Sequence, residues 1–135
     1  MTGKPKTYHG GCHCGRVRFE VDAPPRPKLS DCNCSICSKS GYLALIVPAG
    51  QFRLVSGGDT LRNYTFDTGR AQHHFCGHCG IKSYYVPRSH PDGVSVNARC
   101  LDEDVVDAAD IAEFNGQDWE AQLPQGRASG FPNAL

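Results

Sequence analysis

The sequence lacks any stretch of about 18 consecutive apolar residues that could span a bilayer. Behind its first cations, Lys4 and Lys6, there is also no apolar run to serve as the core of an export signal. It therefore reads as a cytoplasmic protein. Nor is there an excess of charge of either sign, because 14 Lys and Arg balance 14 Asp and Glu. Without a bulk positive field to gather phosphate backbones or anionic lipid, nucleic-acid and membrane partners are not expected. No internal repeat and no long low-complexity tract is present. At 135 residues the chain reads as one domain with a single modest core.

What the sequence has in quantity is cysteine, eight in all. In a reducing compartment such a count points to metal rather than to disulfides. The rival, a secreted disulfide scaffold, would need the export signal that is missing.

Short alternations of apolar and polar residues recur at Val17, Phe19 and Val21, over Leu43 to Val47, Phe52 to Val55, Leu61 to Phe66, Ser83 to Val86, and Val94 to Ala98. These predict strands. Between them lie turn signals, Ala23-Pro24-Pro25-Arg26-Pro27, Gly57-Gly58-Asp59 and His90-Pro91-Asp92-Gly93, where proline fixes φ and glycine permits positive φ. The expected class is mainly β with mostly antiparallel pairing. Asp102 to Ala112 fits either a short helix or a turn leading into a strand that ends at Phe114. The domain is expected over residues 1–120. Residues 121–135 hold Pro124, Gly126, Gly130 and Pro132 with little apolar content, and are expected to form a mobile tail.

The cysteines fall into Cys12-His13-Cys14, Cys32-Asn33-Cys34-Ser35-Ile36-Cys37, Cys76-Gly77-His78-Cys79 and a lone Cys100. Cys76-x-x-Cys79 followed by Gly80 is a zinc knuckle, in which the turn aims two sulfurs at one point. Cys12 and Cys14, flanked by Gly10, Gly11 and Gly15, can supply the other two. A site of four cysteines is closed, so its role is structural. The middle cluster packs Cys32, Cys34 and Cys37 into six residues with no fourth cysteine nearby. Three protein ligands and an open position is the arrangement of catalytic zinc. Two alternatives stay open: one of the three is a bystander and Cys100 or a histidine closes the site, or the cluster holds a disulfide.

Cys100, at the end of a predicted strand, reads as a small buried hydrophobe. His73, His74 and His78 read as supporting or surface residues beside the knuckle. Arg16, Arg18, Lys39, Arg70, Lys82, Arg88 and Arg99 include candidate carboxylate clamps, but none is singled out.

Taken as a set, Gly10-Gly11-Cys12-His13-Cys14-Gly15 leading into Val17-Arg18-Phe19-Glu20, Cys32-Asn33-Cys34-Ser35-Ile36-Cys37, and Phe75-Cys76-Gly77-His78-Cys79-Gly80 resemble the glutathione-dependent formaldehyde-activating enzyme family, which includes centromere protein V. Tyr64-Thr65-Phe66, Val94-Ser95-Val96-Asn97 with Cys100-Leu101-Asp102, and Glu113-Phe114-Asn115-Gly116 with Asp118-Trp119-Glu120 extend the match. The resemblance runs from about Tyr8 to Glu120. It implies an Mss4-like fold of antiparallel β-sheets. It also implies a structural zinc on Cys12, Cys14, Cys76 and Cys79, and a second, more labile zinc on Cys32, Cys34 and Cys37. The implied activity is that of a carbon-sulfur lyase of the S-(hydroxymethyl)glutathione synthase type, joining the thiol of glutathione to formaldehyde. The alternative is a zinc-stabilised Mss4-like binding module without catalysis. The basic, proline-rich extension of centromere protein V has no counterpart here.

Overall fold

The computed structural model describes residues 5–66, 69, 71–87, 90–107, 109–114, 131 and 133–135. The first strands are β1 (Lys6–Gly11), β2 (Arg18–Ala23) and β3 (Lys28–Cys32), followed by one short helix, α1 (Ser35–Ser40). Next come β4 (Ala44–Pro48), β5 (Phe52–Ser56), β6 (Leu61–Tyr64) and β7 (Gln72–Cys76). β8 (Tyr84–Val86), β9 (Gly93–Asn97) and β10 (Asp110–Phe114) complete the set. No helix among the described residues is long and apolar enough to cross a membrane.

The strands form two sheets, one ordered β1-β2-β5 and one ordered β10-β3-β4-β9-β8-β7-β6. Neighbours pair antiparallel except for β10 on β3, which is parallel. The mainly β class with antiparallel sheets is therefore the observed one, with a single parallel edge pair. In β2 the alternation is plain: Phe19, Val21 and Ala23 turn inward while Arg18, Glu20 and Asp22 stay at least partly exposed. Phe19 and Val21 meet Leu45 and Val47 of β4 and Val96 of β9, so the core lies between the two sheets. Phe19 stacks on Phe52 at 5.5 Å, and Phe52 reaches Tyr84 of the larger sheet at 4.6 Å. Full burial of each such side chain contributes about 1.5–3 kcal/mol.

Six of the strands lie where alternation predicts them. β1, β3 and β7 were not foreseen, because Gly10 and Gly11, Cys32, and Cys76 occupy strand ends where apolar residues would give a periodic signal. Of the two options for Asp102 to Ala112, the structure takes the strand, held by parallel register from Asp110 on Lys28 to Phe114 on Cys32. Most of the expected mobile tail lies outside the described residues, but its described end is anchored. Asn133 is fully buried and its amide spans Lys28, accepting from the Lys28 N–H at 2.8 Å and donating to the Lys28 carbonyl at 2.8 Å.

Two chain crossings position the cysteines. β1 of the small sheet runs out at Gly11 into Cys12 and Cys14, and β7 of the large sheet ends at Cys76, so the first cluster joins one sheet to the other. The middle cluster sits inside a single connection of the large sheet: Cys32 ends β3, Cys34 caps α1, and Cys37 lies within it.

Candidate metal centres

The local backbone explains the first convergence. Gly11 packs so closely that a Cβ there would fall on the Val17 carbonyl, and that approach lets the Cys12 N–H donate to Val17 O at 3.0 Å. Gly80 takes φ of 81°, which closes the second turn with its N–H donating to the Cys76 carbonyl at 2.8 Å. Backbone amides then face the sulfurs: Val17 donates to Cys12 Sγ at 3.3 Å, and His78 and Cys79 donate to Cys76 Sγ at 3.3 and 3.4 Å.

The sulfurs of Cys12, Cys14, Cys76 and Cys79 all lie within 4.8 Å of one another. Cys12 and Cys14 are 3.6 Å apart, and Cys14 and Cys76 3.8 Å. A tetrahedron with metal-sulfur bonds of about 2.3 Å places its sulfurs about 3.8 Å apart, so this donor set fits a zinc-like ion. Its chemistry suits thiolates as well. The Arg16 amide holds the Cys14 thiol down at about 5, with the Arg16 and His78 side chains acting in the same direction. Burial raises Cys12. Outside the sulfurs, the Arg16 guanidinium donates to His78 Nδ1 at 2.9 Å, linking the two turns across their exposed face.

The sulfurs of Cys32, Cys34 and Cys37 form a second group within the same limit, and among the described residues no fourth cysteine, histidine or carboxylate joins it. The thiols of Cys32 and Cys37 donate to Cys34 and hold it well below the ordinary thiol range, helped by the Cys37 and Ile36 amides at the start of α1. Cys37, bonded to Cys32 and Cys34 and buried, is raised instead. A cation held by all three would displace the thiol protons that remain. The connection ends at Gly41, in the left-handed region with φ of 63°, where the chain turns into β4.

Around this second group stand side chains that composition and spacing did not single out. Tyr42 and Tyr85 share one apolar cluster with Cys32, Cys34 and Cys37. Lys82 is 9% exposed, with Nζ 4.0 Å from the Tyr85 ring centroid and 4.8 Å from that of Tyr42. It donates to His73 Nδ1 at 2.8 Å. The His73 ring lies between Phe66 and Tyr85, at 5.3 and 4.9 Å. An isolated lysine is normally a surface residue, so the sequence carried no local signal for this one.

A cleft of about 670 Å³ opens between Cys12 and the C-terminal end of α1, with Lys39, Lys82, Arg99 and the Arg18–Asp102 pair on its walls. A smaller one of about 370 Å³, bounded by Tyr64 and Phe66, lies on the other side of α1 and shares Lys39 and Ser40 with the first. Cys100 is not the core residue expected of it: it is partly buried in the wall of the larger cleft, where burial pushes its thiol up to about 11. His74 packs on Tyr84 at 5.1 Å and, like His73 and His78, joins neither sulfur group. Arg70 and Arg88 lie outside the described residues, as do Asn115, Gly116, Asp118, Trp119 and Glu120.

The family model of the glutathione-dependent formaldehyde-activating enzyme matches residues 7–117, which include both sulfur groups. The chain belongs to that family. A curated relative from Halomonas elongata, named "Putative glutathione-dependent formaldehyde-activating enzyme", is 30% identical over 104 residues. That alignment covers 71% of this chain and 66% of the relative, a little less than two thirds of its length. Among solved structures, the crystal structure of a Rhodobacter sphaeroides protein superposes with a TM-score of 0.68 at 32% identity, covering 77% of this chain and 99% of the other. Within a formaldehyde-activating family member, a closed sulfur group and an incomplete one invite different roles.

Proposed function

We propose that the chain is a zinc-dependent carbon-sulfur lyase or synthase, which joins a thiol of the glutathione type to a small aldehyde such as formaldehyde and separates them again. The observation that carries this reading is the convergence of Cys32, Cys34 and Cys37 with no fourth ligand among the described residues, at the helix α1 whose far end, Lys39 and Ser40, lines a cation-rich cleft. In the addition, the thiol sulfur forms a bond to the aldehyde carbon, the carbonyl electron pair moves to oxygen, and the proton lost from sulfur ends on that oxygen. Zinc held by these three cysteines would supply an acceptor that favours thiolate over thiol.

The chain's own residues bind and orient. Lys39 and Arg99 on the cleft walls suit the carboxylates of a glutathione-like tripeptide, whose sulfur must then reach the first turn of α1. Tyr42 and Tyr85 exclude water from the inner side of the sulfur group. Cys12, Cys14, Cys76 and Cys79 take no part in the chemistry and hold the two sheets together.

The test is the exchange rate among glutathione, formaldehyde and their adduct, measured by exchange NMR at several glutathione concentrations, since the uncatalysed reaction is itself quick. The protein should raise the rate, and Cys34→Ser should return it to that of buffer while the fold persists. Equal rates for wild type, variant and buffer would favour the alternative, an Mss4-like module whose metals only support a binding surface.

A further inference from the structure

Lys82 is a buried cation without a carboxylate partner among the described residues. Two aromatic faces and one imidazole nitrogen surround its ammonium group. Two aromatic faces offset only part of the cost of burying an unpaired charge. The balance must come from negative charge, and Cys32, Cys34 and Cys37, which share a cluster with the same Tyr42 and Tyr85, are placed to supply it. Burial lowers Lys82 to about 8, and these sulfurs act against that shift. Tyr85, the ring that lies against the ammonium, is packed in that same cluster.

The geometry around Lys82 is built. An ammonium can only donate, so His73 Nδ1 accepts and the ring proton sits on Nε2. Burial keeps His73 neutral, lowering it to about 4, so it holds Lys82 without adding a second positive charge. His73 Nε2 is itself buried with no hydrogen-bond partner among the described residues. The neighbouring ring contacts at 4.9 and 5.3 Å fix the imidazole plane, and through it the direction of the ammonium.

We propose that Lys82, held by Tyr42, Tyr85 and His73, is a positioning residue that supplies the countercharge of the three-cysteine metal site and biases its fourth position towards an anionic ligand. This rests on the reading of Cys32, Cys34 and Cys37 as an open metal site. A divalent ion on three thiolates carries a charge of −1, which one lysine balances. A neutral fourth ligand leaves that charge unchanged, while a thiolate takes it to −2. The nearby cation therefore favours the thiolate selectively. The ligand class this selects is a thiol bound as its anion, its proton released to solvent.

The experiment uses the full chain loaded with Co²⁺, whose thiolate charge-transfer absorption reports the second site. 2-Mercaptoethanol serves as the anionic probe, because it has no carboxylate to engage Lys39 or Arg99, and imidazole serves as the neutral one. Lys82→Met should weaken 2-mercaptoethanol binding about tenfold or more and leave imidazole within about twofold. Lys82→Arg should restore most of the loss, and Co²⁺ held by the four-cysteine site should not change. If Lys82→Met does not fold, Lys82→Gln decides in its place. Equal losses for both probes, or unchanged 2-mercaptoethanol affinity, would overturn the proposal while leaving the open site intact. A wild-type chain that takes only one Co²⁺ would instead remove the open site, and this inference with it.

Discussion

The two sulfur groups are built from the same residue type yet differ in what the chain around them does. Cys12, Cys14, Cys76 and Cys79 come from two different sheets, and their sulfurs receive backbone amides from both turns. Cys32, Cys34 and Cys37 come from one β3–α1 connection. A metal on the first group closes a long stretch of chain and ties the two sheets, so its binding energy is folding energy. A metal on the second closes only a local loop. What surrounds that group is a buried cation and aromatic rings, which tune charge rather than hold strands. On the proposed reading, ligand origin along the chain, more than ligand count, would separate a structural site from a reactive one.

The comparison breaks most visibly at Cys76, which is fully buried. Cys76→Ser removes the sulfur that accepts both knuckle amides and should abolish the cooperative unfolding transition seen by circular dichroism, with loss of one metal equivalent. A variant that melts cooperatively without that metal would show that the sheets do not depend on it. Cys34→Ser should behave differently. It should lose the second metal equivalent and the rate acceleration while shifting the melting midpoint by only a few degrees, corresponding to about 1 kcal/mol. A collapse as severe as that of Cys76→Ser would erase the distinction.

How much of this was legible in the sequence follows from how each feature is encoded. Ligand sets are written as spacing, so Cys76-x-x-Cys79-Gly80 and Cys32-x-Cys34-x-x-Cys37 could be read directly, and the structure brings each set together. Strands with alternating side chains, such as β2, were equally plain. β7 was not, because Gln72-His73-His74-Phe75-Cys76 has polar residues on both faces and draws its stability from β6 and β8. Lys82 and His73 were named only among scattered cations and knuckle histidines. Their meaning arises from the β7–β8 hairpin, which folds Lys82 back onto His73, and from Tyr42 on a distant segment, neither of which an apolar pattern records. Asn133 is a similar case: a polar residue in a stretch poor in apolar content, anchored through hydrogen bonds to β3.

Graded chelation sharpens the comparison further. The second group has one fewer sulfur among the described residues, so a metal held there would be more open to a chelator and should leave first, at about tenfold lower chelator or less. Metal counts should fall from two equivalents to one with the far-ultraviolet spectrum unchanged, and then from one to none together with unfolding. Release of both in a single step would contradict the separation of roles.

The smallest expected effect compares the cations beside the two groups. Arg16 stands outside the first group, donating to His78 Nδ1 at 2.9 Å, and both side chains are exposed to solvent. Charge there acts through water and is screened by salt, so an exposed contact of this kind is worth about 0–1 kcal/mol. The Cys14 sulfur is lowered mainly by the Arg16 amide, which a side-chain substitution leaves in place. Arg16→Gln should therefore change the metal affinity of the four-cysteine site by less than about threefold, and the remaining change should vanish as ionic strength rises. Lys82, enclosed by Tyr42, Tyr85 and His73, is shielded from the same ions, and its effect on the second site should persist in salt. Chelator competition for both variants at low and high salt checks the pair. Equal sensitivity at the two sites would mean that burial of the cation does not distinguish them.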